Sequence, residues 1–157
     1  MGNIDVRPAT SHDAPQVAEI WYHGWRDGHL GNVPDDLAEA RSEESFRERA
    51  GQRVEDTTVA TADGTVAGFV MVVGDEVEQV YVSAGHRGTG IAAALLAEAE
   101  NQVARNGHSQ AFLVVVPGNA RARRFYERNG WTDDGLFDHH AAGIVFPAHR
   151  YVKPLVQ

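Results

Sequence analysis

The spacing of apolar residues predicts a strand and two helical regions in the first third of the chain. Apolar and polar residues alternate over residues 4–8, which is typical of a short strand. Apolar side chains then recur every three or four residues, which predicts a helix that begins near Ser11 or Asp13 and is broken before Pro34. A second helical region follows Pro34 and extends to Gln52.

The middle of the chain changes to a two-residue period, which predicts a meander of three strands. These strands are Thr57–Ala62, Thr65–Val73 and Glu76–Ser83. Asp63-Gly64 is a hairpin signal, because a tight turn between antiparallel strands needs positive φ at its central residues. Gly74-Asp75 indicates the next turn.

The second half of the chain is predicted to contain two more helices and three more strands. Gly90–Asn106 carries one apolar face and is the clearest helix in the sequence. Ala111–Val116 is a continuous apolar run, as expected for a strand buried on both faces. A shorter helix is predicted at Asn119–Asn129, followed by strands around Trp131–Phe137 and Val145–Leu155. The order predicts one mixed α/β domain.

Length and composition exclude several classes of protein. A chain of 157 residues with 43% hydrophobic residues is of ordinary size and composition for a single globular domain. It contains no apolar run of about 18 residues, so we expect no transmembrane helix. The segment Met1–Arg7 lacks a basic region followed by an apolar stretch, so we expect no signal peptide. The absence of cysteine excludes disulfides, thiolate metal sites and a cysteine nucleophile, and it fits a cytoplasmic location.

Charge is distributed unevenly along the chain. The net charge of −8 argues against nonspecific binding of nucleic acid, which requires a basic face. Residues 1–80 carry 16 acidic and 6 basic side chains, whereas residues 81–157 carry 6 acidic and 8 basic ones. An anionic ligand is therefore favoured by the second half and a cationic ligand by the first, although an accidental spread of surface charge gives the same totals.

The segment 80–92 combines a predicted strand, a glycine-rich loop and the start of the clearest helix. Gly85, Gly88 and Gly90 allow the backbone to turn sharply and to approach a ligand closely. The N–H groups at the start of the helix then form a site for an anion such as a phosphate, and Arg87 adds a positive charge. A glycine-rich turn without a ligand is the alternative interpretation.

Three phosphate-binding patterns can be compared with this loop. The Walker pattern is excluded because it needs Gly-Lys-Ser/Thr and the only lysine is Lys153. Gly88, Gly90 and Ala93 match the Rossmann spacing, but that unit opens a domain, whereas this loop follows an antiparallel meander. The pattern Arg/Gln-x-x-Gly-x-Gly/Ala is matched at every fixed position from Arg87 to Ala92.

A second motif strengthens this match. Residues 119–131 read Asn-Ala-Arg-Ala-Arg-Arg-Phe-Tyr-Glu-Arg-Asn-Gly-Trp. Together the two motifs resemble the GNAT superfamily of acetyl-CoA-dependent N-acetyltransferases, with Trp131 in place of a phenylalanine. The resemblance is specific over residues 76–131, and over residues 1–55 it covers element order only. It implies a mixed, mostly antiparallel central sheet flanked by helices, in which two splayed strands form a slot for CoA.

The resemblance also implies the residues that bind acetyl-CoA. Backbone groups of Tyr81 and Val82 are expected to pair with the pantetheine arm, and Asn119 to bond the arm or the adjacent backbone. Arg123 or Arg124 is expected to meet the adenosine phosphates. The pyrophosphate is expected to lie against the amides of Arg87, Gly88, Thr89, Gly90, Ile91 and Ala92.

Three residues are candidates for the proton transfers. Tyr126 is expected to protonate the leaving thiolate, although by pattern alone it could be an apolar-face residue of a short helix. Glu78 and then Glu76 are the candidates for the base that deprotonates the amine, or they are solvent-facing edge charges. Some relatives place a glutamate on the next strand, where this chain has Val114 and Val115.

The first helix is expected to form a wall of the acceptor site, as it does in the family. Aromatic faces and a carboxylate there suit a cationic amine, whereas the alternative is that Trp21 is a core residue and the others are surface residues. The residues are Trp21, Trp25, Asp27 and His29, with Tyr22 and His23 beside them. His139 and His140 are expected in an irregular loop that touches the acceptor. Together with His149 they lack the spacing of a metal site, so no metal is expected.

These features predict an N-acetyltransferase that moves the acetyl group of acetyl-CoA to a primary amine of a small molecule. Attack is expected to be direct, since no cysteine can form an acetyl-enzyme. The alternatives are acetylation of a peptide or protein amine, a non-catalytic CoA-binding module, and a tRNA-acetylating toxin, which the low pI of about 5.4 disfavours. We expect no nucleic-acid or membrane partner, and a homodimer is a possible assembly.

Overall fold

The computed structural model describes residues 4–155 and shows a seven-stranded sheet with helices packed on both faces. The segment Met1–Arg7, in which no leader pattern was found, therefore lies partly outside the described residues. The strands are β1 (Ile4–Pro8), β2 (Thr57–Ala62), β3 (Thr65–Val73), β4 (Glu76–Val82), β5 (Gln110–Val115), β6 (Thr132–Ala141) and β7 (Ile144–Pro154). The helices are α1 (Ala14–His29), α2 (Asp35–Ala40), α3 (Glu43–Gln52), α4 (Ile91–Arg105) and α5 (Ala120–Arg128).

The strands follow the spatial order β1-β2-β3-β4-β5-β7-β6. Every neighbouring pair is antiparallel except β4 and β5, which are parallel. This confirms the predicted mixed, mostly antiparallel sheet. The meander is formed by the predicted turn, because Asp63 and Gly64 have φ values of 51° and 84°.

The core consists of two layers, one on each face of the sheet. The apolar side of α4, including Leu95 and Val103, packs on one face together with Tyr126 and Trp131 of the α5 region. The helices α1 to α3 cover the other face, where Trp21 contacts Phe46 and Phe69 edge to face, with ring centroids 5.3 and 5.8 Å apart. The two layers meet where the sheet opens between β4 and β5.

Three details differ from the sequence-based expectations. The helical region after Pro34 is two helices, because Ser42 caps α3 by accepting a hydrogen bond from the Ser45 N–H. Strand β5 is not buried on both faces: Ala111, Leu113 and Val115 are buried, whereas Phe112 and Val114 on the other face are half-buried. Strand β6 extends to Ala141, so the histidines expected in an irregular loop lie on a strand.

No helix among residues 4–155 combines the length and the apolar character needed to cross a membrane.

Candidate active site

The sheet opens between β4 and β5. The two strands share a single pair, Glu76 with Phe112, and the Phe112 N–H donates to the Asp75 carbonyl at 3.0 Å. Beyond this point the strands diverge, and the backbone of β4 beyond Glu76 has no partner on that side. A cavity lies on each side of the opening, and we call them the loop groove and the acceptor cavity.

The loop groove has a volume of about 410 Å³ and follows the glycine-rich loop. Gly88 and Gly90 have φ values of 78° and 88°, a conformation that favours glycine, and they direct the chain into α4. No side chain caps α4, so the N–H groups of its first turn are available to an anion. The groove contains Tyr81 and Val82 and also Gly88, Gly90 and Ala92, all predicted from the sequence, whereas Thr89 is absent from its wall and the Ile91 side chain is buried in the core.

The arginines of α5 are arranged differently from the prediction. Arg123 points away from the groove, since it donates to the Tyr151 hydroxyl at 3.0 Å and to Asp133 at 3.3 Å. Neither Arg123 nor Arg124, the two arginines predicted to meet the adenosine phosphates, lines the groove in this structure. Arg121 and Arg128 line the groove instead. A helix places residues two apart on different faces, so the choice among these arginines depended on how α5 packs.

The acceptor cavity has a volume of about 500 Å³ and lies on the α1–α3 side of the opening. A bulge in β4 shapes it: Met71 pairs with Gln79 but Val72 pairs with Val77, so Glu78 is an extra residue. Val77 and Val80 both pack toward α4, which leaves Glu76, Glu78 and Tyr81 on the acceptor side.

Tyr126 lies at the junction of the two cavities. It lines both of them, together with Val80, Tyr81, Asn119 and Ala122. Asn119 is held there as the cap of α5, since its side-chain oxygen accepts from the Ala122 N–H at 3.2 Å. Burial raises the pKa of Tyr126 above its ordinary value, so its hydroxyl stays protonated at neutral pH and can act as an acid. The structure thus brings Tyr126 next to both expected ligand sites.

The two glutamates have different environments. Glu78 accepts a hydrogen bond from Arg53 at 2.7 Å, and Arg53 also binds Asp56 at 3.0 Å. Glu76 has no such partner among the described residues, and burial together with the nearby Glu78 and Asp75 raises its pKa to about 6. A carboxylate with a pKa near neutrality is suited to accept a proton, so the geometry favours Glu76 over Glu78, the reverse of the sequence-based ranking.

The predicted acceptor wall is only partly formed by the expected residues. Trp25 and His29 line the cavity as a stacked pair, with ring centroids 4.6 Å apart. His29 donates from Nδ1 to the Trp25 carbonyl at 2.8 Å, and burial lowers its pKa to about 4, so it is neutral at pH 7. Trp21 is 0% exposed and belongs to the core, so the expectation that it contacts the acceptor is wrong. Asp27 lies outside the cavity and binds Arg87 at 2.8 Å.

Sequence reasoning missed two residues of this cavity altogether. Arg41 and Arg49, from the α2–α3 region, line it beside the histidines of β6. No motif marks these arginines, because helices α2 and α3 are recognisable only by element order. His139 and His140 were expected to touch the acceptor, and they do line the cavity, although from a strand.

The described residues include no group of three or more histidine, aspartate or glutamate side chains that could hold a metal ion.

Comparisons with known proteins identify the family of this arrangement. A family model described as the acetyltransferase (GNAT) family matches residues 15–131. An uncharacterized N-acetyltransferase of Mycobacterium tuberculosis is 36% identical over 81 residues, which cover 48% of this chain and 52% of that protein. The matched region therefore spans about half the length of the curated relatives.

Solved structures share the fold. The PaiA N-acetyltransferase of Thermoplasma acidophilum, solved with coenzyme A, has a TM-score of 0.77 at 20% identity, over 97% of this chain and 99% of that one. A nourseothricin acetyltransferase is 32% identical with a TM-score of 0.53, over 64% of this chain and 65% of that one. Because the family model covers most of the sequence, and both motifs lie at the opening of the sheet, the chain belongs to the acetyltransferase (GNAT) family.

Proposed function

We propose that this protein transfers the acetyl group of acetyl-CoA to a primary amine of a small molecule. The observation that carries the proposal is the position of Tyr126, which lines both cavities where they meet. The loop groove offers backbone N–H groups and three arginines, Arg87, Arg121 and Arg128, to an anionic cofactor. The similar PaiA structure was solved with coenzyme A, which supports the same cofactor here.

Tyr126 at the junction and Glu76 in the acceptor cavity account for the proton transfers of a direct reaction. The amine nitrogen attacks the thioester carbonyl, forming the C–N bond and moving the carbonyl electron pair to oxygen. Glu76 accepts the proton that the amine loses, directly or through water. Collapse of the intermediate breaks the C–S bond, and Tyr126 gives its proton to the departing sulfur. Solvent then returns a proton to Tyr126 and takes one from Glu76, which restores both groups.

The size of the acceptor cavity supports a small molecule over a protein amine. A volume of about 500 Å³ is within the ~300–1,000 Å³ usual for small-molecule sites, and side chains of β6 form one of its walls. A peptide or protein acceptor remains the second candidate function, and the acidic first half of the chain favours it if that peptide is basic. Single-domain organisation, a cytoplasmic location and a homodimer stay predictions.

A thiol-release assay tests the proposal. The wild-type protein and acetyl-CoA are incubated with a panel of small amines and a panel of peptides, and the acetylated product is identified by mass. We expect thiol release with a small amine and its loss in Tyr126→Phe. Acetyl-CoA binding without thiol release for any amine or peptide indicates a non-catalytic module, and acetylation of peptides alone indicates the second candidate.

A further inference from the structure

Two arginines in the acceptor cavity have no acidic partner among residues 4–155. Arg41 and Arg49 both line the cavity, and neither forms an ion pair there. Glu78, which lines the same cavity, accepts a hydrogen bond from Arg53 at 2.7 Å instead. The cavity therefore contains two cationic side chains without an ion-pair partner among residues 4–155, in addition to Glu76 and Glu78.

The guanidinium group of Arg49 packs against aromatic rings, but one of its N–H donors has no hydrogen-bond acceptor. It lies over the ring of Trp21 at 4.3 Å and near the ring of Phe46 at 5.3 Å, which fixes its plane. Its Nη1 atom is buried and has no hydrogen-bond partner. Burial and the neighbouring Arg41 and Arg53 lower the pKa of Arg49 to about 10. A buried donor without a partner costs free energy. Arg49 also lines the cavity, so its positive charge attracts an anion bound there.

These arginines lie close to the expected reaction centre. Arg41 and Arg49 line the same cavity as Tyr81 and Tyr126. His29, beside Arg41, is neutral at pH 7 and adds no competing charge. The same cavity contains Glu76, so it offers a positive region and a negative region to one bound molecule.

We infer that the acceptor is a small amino compound that also carries a carboxylate, which Arg41 and Arg49 bind while the amine faces Glu76 and Tyr126. This inference rests on the proposed function and names the substrate class of that site. The guanidinium fork matches a carboxylate in two-point geometry. A singly charged carboxylate fits better than a phosphate dianion, because Glu76 and Glu78 line the same cavity.

Matched acceptor pairs test the inference. Each pair consists of an amino acid and its carboxamide, with the amine one to four carbons from the carboxyl carbon, so that the members differ only in the negative charge. We expect wild-type protein to prefer one or more of the acids. Arg41→Gln and Arg49→Gln should lower kcat/KM for that acid about 10- to 100-fold, mainly by raising KM. The kcat/KM for the carboxamide should change about twofold or less. The KM of acetyl-CoA should not change.

Two further variants separate charge from packing. Arg47→Gln removes an exposed arginine of α3 that pairs with Glu43 outside the cavity. It should leave kcat/KM unchanged for both the acid and its carboxamide. Arg49→Lys keeps the charge and should recover part of the activity on the acid. If Arg49→Gln unfolds, as its packing on Trp21 allows, Arg41→Gln carries the test, with circular dichroism to confirm folding.

The outcomes distinguish this inference from the proposed function. Equal kcat/KM for acids and carboxamides, or an acid preference that Arg41→Gln and Arg49→Gln leave intact, overturns the inference while the acetyl transfer stands. If no pair is acetylated, calorimetry on the complex with CoA decides. The inference is overturned if every acid binds no more tightly than its carboxamide. If the wild-type protein neither binds acetyl-CoA nor releases thiol with any amine, the proposed function itself is overturned.

Discussion

The loop groove and the acceptor cavity lie on opposite sides of one opening in the sheet, but they are assembled in different ways. Two segments, residues 80–93 and residues 119–128, provide most of the loop groove. The acceptor cavity takes its walls from α1, α3, β4, β5 and β6 and from the α2–α3 region, which are far apart in the chain. One site is therefore local in sequence and the other is a product of the tertiary fold.

The difference also concerns the kind of group that recognises the ligand. The loop groove relies on backbone N–H groups, positioned by glycines at positive φ and by the start of α4. The acceptor cavity relies on side chains whose charges depend on their neighbours, such as Glu76, His29 and Arg49. Backbone recognition leaves a pattern of glycines in the sequence, whereas charge tuned by burial leaves no such pattern.

The largest effect is expected at Tyr126, the residue that the two cavities share. Tyr126→Phe should lower kcat about 10²- to 10⁴-fold, because the leaving thiolate loses its proton donor. The KM of acetyl-CoA should change little. Tyr22→Phe is the matched control, since Tyr22 lies on α1 against Phe46 and lines neither cavity. Steady-state kinetics under conditions where chemistry limits turnover provide the measurement, and an unchanged kcat would return Tyr126 to a packing role.

A second prediction concerns the loop groove alone. Gly90→Asp should weaken acetyl-CoA binding by about tenfold or more, because a carboxylate faces the pyrophosphate at the start of α4. Gly90→Asn is the control: asparagine has the same shape and tolerates the left-handed conformation equally well, with no charge. Calorimetry on both variants isolates the charge effect. Equal affinity of the folded Asp and Asn variants would place the pyrophosphate elsewhere.

A third prediction concerns the base in the acceptor cavity. With a pKa of about 6, Glu76 loses its proton-accepting form as the pH falls through 6, so wild-type kcat/KM should decline there. Glu76→Gln should lower kcat/KM by about tenfold near pH 7, and the deficit should shrink at high pH, where more of the amine is free. Glu78→Gln should keep this decline but move it to lower pH, because the charge of Glu78 contributes to the raised pKa of Glu76. A profile that Glu76→Gln does not shift would rule out this carboxylate as the base.

The same residue has an independent signature in stability. The pKa of Glu76 is raised from 4.5 to about 6 by burial, by Glu78 and by Asp75, against the opposing charges of Arg53 and Arg150. A carboxyl with a raised pKa begins to destabilise the folded state as the pH rises above its ordinary value of 4.5, and the effect is complete above about pH 6. Glu76→Gln should therefore raise the melting temperature relative to wild type at pH 8, and the gain should vanish below about pH 4.5. A gain that is the same at both pH values would contradict the assigned pKa.

The smallest effect is expected at the arginines of α5. Arg121→Gln removes an exposed charge from the loop groove and should weaken acetyl-CoA binding by a few-fold, with an effect that fades at high salt. Arg123→Gln should leave that affinity unchanged and instead lower the melting temperature, since it loses its bonds to Tyr151 and Asp133. Weaker binding in Arg123→Gln alone would restore the role expected from the sequence.

Much of the fold was predictable because its signals are local. The Asp63-Gly64 hairpin and the glycines that end α4 and α5 all adopt positive φ, as their sequence context predicts. Helix α4 could be placed because its apolar residues repeat at helical spacing. The glycine-rich loop could be predicted for the same reason, because glycine spacing and the start of a helix are properties of contiguous residues.

The sequence by itself therefore determined the family, the order of the elements and the position of Tyr126 within its motif. Only the tertiary structure decided that Trp21 is core, that Asp27 pairs with Arg87, and that Arg41 and Arg49 enter the acceptor cavity. It also set the different environments of the two glutamates, because Arg53 pairs with Glu78 and leaves Glu76 without an ion-pair partner among residues 4–155. The physical reason is that charge, burial and pairing are set by neighbours distant in sequence, and only packing brings those neighbours together.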